Sequence, residues 1–149
     1  MTDQTVNHVN IERTFDASPA EVWAAWTDPA QLAQWWGPDQ FHTPVESVDL
    51  DLRPGGHFHL SMIQTDSGAD YPVRFQVIEA VENELLVLFS PAQPELGLNT
   101  DTTARIEFAA EGDKTRMKLT DGPYEDNFAD LTTEGWSEMF GKLDRLLAG

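Results

Sequence analysis

The spacing of apolar residues divides this chain into three stretches. In the first, "VNIERTFDA" has the β-rich composition of a strand, and "SPAEVWAAWTD" behind it carries helix-start signals. Ser18 stands at the N-cap, Pro19 at the first helical position and Glu21 at the third, a capping-box arrangement. Asp28 and Pro29 restart a second short helix, "PAQLAQWW". Gly37-Pro38 ends it, because proline bars helical continuation and biases the residue before it away from helix. The second stretch reads as six strands, several alternating with period 2: "VESVDLDL", "GHFHLSMIQT", "YPVRFQVIEAV", "ELLVLFS", "TTARIEFAA" and "TRMKLTD". Turn-prone pieces such as "RPGG", "TDSGAD", "VENE" and "AEGDK" separate most of them, and loops that short imply antiparallel neighbours. In the third, "DLTTEGWSEMFGKLDRLLAG", Trp136, Phe140, Leu143 and Leu147 fall on one helical stripe with Met139 and Leu146 beside it.

The order β-α-α-β6-α predicts an α+β fold with a curved, seven-stranded antiparallel sheet. The last helix is the only element long enough to cover the sheet's apolar face. Bulges and glycines that curve the sheet keep helix and sheet from touching along their whole length, which leaves room for an internal cavity. No repeat or linker divides residues 1–149, so one domain is expected.

Composition narrows the function. The chain has 26 acidic against 9 basic residues, a formal charge of −17, and this repels phosphate backbones and anionic lipid surfaces. Nucleic acid and membrane are therefore not expected partners. The acids are dispersed as on a solvated face, and with Lys114, Lys118 and Lys142 the only lysines, a salt-adapted host is compatible. No apolar run reaches the roughly 18 residues of a membrane span, and "MTDQTVNHVNIERTF" has neither a basic nor an apolar leader region. A cytoplasmic protein is expected. Without cysteine there is no thiolate nucleophile or thiolate metal site.

Trp35 and Trp36 stand side by side before the Gly-Pro stop, and adjacent helical side chains diverge by about 100°, so both rings are buried only if more than one side of that helix end is covered. One ring is expected to anchor the helix pair and the other to line or lid a cavity mouth, with Phe41 just beyond. The alternating sets Phe58, Leu60, Met62; Phe75, Val77; Ala104, Ile106, Phe108; and Met117, Leu119 are expected to face inward toward Trp136, Met139, Phe140 and Leu143. Phe128 and Leu131 are candidates for the entrance. His57 and His59 share a strand face, as two metal ligands would, but with Phe58 and Leu60 inward they point outward as a surface pair, and no third ligand is evident. Asp49 and Asp51 alternate with Leu50 and Leu52 as an exterior strand face does. The serines lack a nucleophile-elbow context, Gly55-Gly56 reads as a bulge or turn, and Arg74 is expected to point outward. No catalytic residue, cofactor or metal site is assigned.

Three separated segments, "RTFDASPAEVWAAWTDPAQLAQWWGP", "DLRPGGHFHLSM" and "EGWSEMFGKLDRLL", resemble in this order the signature segments of the family of the activator of heat-shock protein 90 ATPase. That family sits in the START-like, or SRPBCC, helix-grip superfamily, with the birch-pollen allergen and the polyketide cyclases. The resemblance spans roughly Asn10 to Leu147. It implies a helix-grip fold whose cavity, elsewhere in the superfamily, takes lipids, sterols, polyketides or flavonoid-like molecules. The expected function is binding of a small apolar or aromatic molecule by a monomer or weak homodimer. One alternative is a chaperone-associated interaction module, although the co-chaperone's additional N-terminal domain has no counterpart in these residues. A third is a cyclase- or hydrolase-like enzyme, which needs two titratable side chains converging in the cavity, where the strand pattern offers few inward polar residues.

Overall fold

The computed structural model describes residues 6–94, 99–125 and 128–148. Strand β1 (Val6–Phe15) leads into helices α1 (Pro19–Thr27) and α2 (Pro29–Trp35). The strands β2 (Phe41–His42), β3 (Asp49–Asp51), β4 (His57–Gln64), β5 (Asp70–Val81), β6 (Leu85–Ser90), β7 (Thr102–Glu111) and β8 (Lys114–Glu125) follow, and α3 (Phe128–Ala148) closes the chain. All pair antiparallel in one sheet of order β1-β8-β7-β6-β5-β4-β2, with β3 also on β4.

Local chemistry sets the element boundaries. The Ser18 side chain accepts from the Glu21 amide at 3.2 Å while the Glu21 carboxylate accepts from the Ser18 amide at 2.9 Å, so two otherwise unpaired donors of α1 are satisfied reciprocally. Gly55-Gly56 forms a turn whose backbone bonds Val77 of β5, with Gly55 at φ +87° and Gly56 so close that a Cβ would stand 2.0 Å from the Asp51 carbonyl oxygen.

Three elements depart from the sequence pattern. The sheet has an eighth strand, the two-residue β2, which pairs Phe41 with Gln64 and His42 with Ile63. The stretch expected as one strand from Val45 opens instead as a 3₁₀ turn, Val45–Ser47, since the Ser47 amide and hydroxyl both donate to the Pro44 carbonyl. Strand β8 runs past Asp121 to Glu125, as its neighbours stay in register with it: Gly122 lies opposite Thr103, and Glu125 opposite Val6 beyond a bulge in β1.

The sheet wraps around α3, and Trp26 of α1 sits at the centre of the core. Its ring lies 4.8 Å from Trp35, 6.2 Å from both Trp36 and Trp136, and 6.3 Å from Phe140. Phe15, Leu32, Phe58, Leu60, Leu86, Leu88, Ile106, Met117, Leu119 and Leu143 belong to the same buried cluster.

Candidate functional site

Along α3 the two halves meet different surroundings. The C-terminal half presses Phe140 and Leu143, both fully buried, into the core with Phe15 and Trp35. The N-terminal half stands off the sheet, and a cavity of about 420 Å³ opens there. Its apolar wall is built by Trp36, Met62, Val73, Phe75, Trp136 and Met139, with Phe128 and Leu131 of α3 beside them. Leu131 is 62% exposed, as a residue at the rim would be. That volume suits a ligand of one to a few rings, since small-molecule pockets typically span about 300–1,000 Å³.

The double tryptophan divides because α2 ends between its two members. Trp35 is the last helical residue, and its indole Nε1 donates to the Ala25 carbonyl at 2.9 Å, which ties α2 to α1. Trp36, the C-cap, has left helical geometry at ψ 137°, and its ring lies 5.5 Å from Trp136, 5.6 Å from Phe58 and 6.4 Å from Phe75 on the cavity wall.

Of the residues expected at a ligand site, Trp36, Met62, Phe75, Trp136 and Met139 meet around the cavity. Trp35, Phe58, Leu60, Ile106, Phe108, Met117, Phe140 and Leu143 are buried in the core away from it, and Phe41 lies outside on β2, its ring 5.8 Å from Tyr71. The inward face was legible from the alternation; the position of the gap along that face was not. Phe108 is covered by α1, with Trp23 and Trp26 rings at 5.6 and 6.2 Å, so no space remains at that end.

The polar wall is the part that the sequence reading passed over. Ser90, Thr100, Thr102 and Thr132 line the cavity with Asp121 and Tyr124. Asp121 is 4% exposed, and its Oδ2 accepts from the Tyr124 hydroxyl at 2.7 Å and from Trp136 Nε1 at 2.9 Å. Burial pushes the Asp121 carboxyl above the usual carboxylate range, against the pull of these two donors. Burial also pushes the Tyr124 phenol up, helped by the charge of Asp121. Two titratable side chains therefore do converge in the cavity, contrary to the expectation of few inward polar groups. The signal was present: Asp121 continues the inward parity of Met117 and Leu119 on β8.

The histidines lie on the other face. His57 Nε2 is 3.0 Å from Asp49 Oδ1, the two imidazole rings stand 4.7 Å apart, and burial, then His57 and Arg74, lowers the His59 pKa. Among the described residues no three His, Asp or Glu side chains gather as a metal site would need. Arg74 is exposed, and its Nη1 donates to the Leu60 and Val73 carbonyls.

The profile of the family described as activator of Hsp90 ATPase homolog 1-like protein matches residues 16–148. The chain belongs to this family. Solved structures share the family's fold over nearly the whole chain. A Chromobacterium violaceum protein is 22% identical with a TM-score of 0.85, covering 96% of this chain and 98% of its own. The AHSA1 protein of Silicibacter pomeroyi is 25% identical at a TM-score of 0.80, with 95% and 98% covered. A Mycobacterium smegmatis protein is 24% identical at 0.77, with 99% and 97% covered. No curated protein matches the sequence. Among the described residues no helix is long and apolar enough to cross a membrane.

Proposed function

We propose that this family member binds a small apolar or aromatic molecule in the cavity between the sheet and the N-terminal half of α3. One observation carries the reading: a cavity of about 420 Å³ walled by Trp36, Phe75, Trp136, Met62 and Met139, with a few polar groups, Asp121 and Tyr124 among them, in its lining. Apolar walls supply affinity by removing ligand surface from water, and a few convergent polar groups fix orientation. The cleft is open to solvent at the Leu131 rim, so a ligand can enter and displace water from its apolar walls.

Titration with fatty acids, sterols, flavonoids and polyketide-like aromatics, followed by tryptophan fluorescence, tests this directly. Saturable quenching by one class is expected, because Trp36 and Trp136 line the cavity. Silence across the panel from a protein that melts cooperatively would overturn it. The family's description supports a second reading, association with a chaperone. Recovery of Hsp90 in a pull-down, with a changed ATPase rate, would favour it.

A further inference from the structure

The cavity lining holds a buried acid, Asp121. Both side-chain donors to Asp121, the Tyr124 hydroxyl and Trp136 Nε1, reach the same oxygen, Oδ2, and the Gly122 amide also acts on the carboxylate. Among the described residues no ion pair involves Asp121. Among the described residues, the titratable side chains that act on it are Tyr124 on its own strand and, from an exposed position on β1, His8. β7 sets Ala104 opposite it, and α3 brings Trp136. A buried carboxylate so placed is costly unless paired, and its neutral donors offset only part of that cost.

The remaining walls point the same way. Trp36, Phe75, Phe128 and Trp136 line the same cavity, and an ammonium group is attracted to an aromatic ring whose face it reaches. The net charge of −17 also enriches cations near the surface. A ligand carboxylate placed beside Asp121 would instead meet a like charge where little water screens it.

Resting on the reading of the cavity as a ligand site, we propose that it selects apolar, ring-bearing amines, whose protonated nitrogen pairs with the Asp121 carboxylate, and rejects molecules of the same shape that carry a carboxylate. Pairing with the amine offsets the cost of burying the charge, so amine binding strengthens as pH rises from acid and Asp121 ionises.

Three probes of nearly one shape test this by calorimetry at neutral pH: naphthylmethylamine, naphthylmethanol and naphthoic acid. The amine is expected to bind more tightly than the alcohol by roughly tenfold or more, the range of a hydrogen bond to a charged group, with the acid weakest. In Asp121→Asn the ratio of amine to alcohol affinity should fall close to one. An acid that binds as well as the amine, or a preference for the amine that survives in Asp121→Asn, overturns the charge selectivity while leaving the cavity as a binding site. If none of the three binds the wild-type protein, the site reading falls and the selectivity with it. Should Asp121→Asn fail to fold, the wild-type pH series decides. Amine affinity that rises toward neutral pH beside a flat alcohol profile supports the proposal, and two flat profiles overturn it.

Discussion

Trp35 and Trp36 are neighbours in sequence with different work, because the helix ends between them. Trp35→Ala removes a ring buried against Trp26 and Phe140 together with the bond to Ala25, and should cost about 3–5 kcal/mol in urea melts. Trp36→Ala opens onto an existing cavity, so its stability loss should be smaller while ligand quenching is lost. Equal stability losses with unchanged quenching would contradict this division. Asp121 has a second consequence at this scale. Its folded pKa is raised, so its contribution to stability is fully present below the unfolded pKa and is lost as pH rises through the folded value. Asp121→Asn keeps an acceptor for Tyr124 and Trp136 but carries no charge. Relative to wild type it should therefore melt higher at neutral pH, with the difference shrinking in acid. A difference independent of pH would show that burial of the charge is not the cause.

At the scale of elements, α3 is tied to the turn after α2 by hydrogen bonds from both sides. Lys142 Nζ donates to the Gly37 carbonyl at 2.7 Å, and the Asp39 amide donates to Glu138 Oε1 at 2.9 Å. Gly37 at φ +105° makes that turn possible, and burial lowers the Lys142 pKa. Lys142→Met keeps the stem and removes the bond. It should cost about 1 kcal/mol, read by urea denaturation, and an unchanged stability would show that the bond to Gly37 does not tie the two elements together. The elements were legible because their signals are local: the capping box at Ser18, the proline stops and the stripe of α3. What was not legible is set by pairing across distance. Strand β8 continues through Gly122-Pro123 because β1 and β7 flank it, and that continuation carries Tyr124 into the cavity beside Asp121.

Across the whole molecule, period 2 told which residues face inward but not where along α3 the sheet pulls away. Ile106 and Met117 were therefore grouped with Phe75 and Met62, although only the latter two reach the gap. Self-repulsion is the other property of the whole molecule. At −17 the folded chain repels itself, and added salt screens that repulsion, so the melting temperature should climb as sodium chloride is added, by about 2–4 °C for each kcal/mol relieved. A melt insensitive to salt would mean that the charges are too dispersed to matter. The central claim, that the gap beneath α3 is a ligand site, is tested most directly by following the indole N–H signals of the five tryptophans by NMR as naphthylmethylamine is added. Trp36 and Trp136, which line the cavity, should shift in a saturable way while Trp35, bonded to Ala25, stays in place. Signals that do not move at saturating probe, or that move only at Trp35 and Trp23, would contradict it.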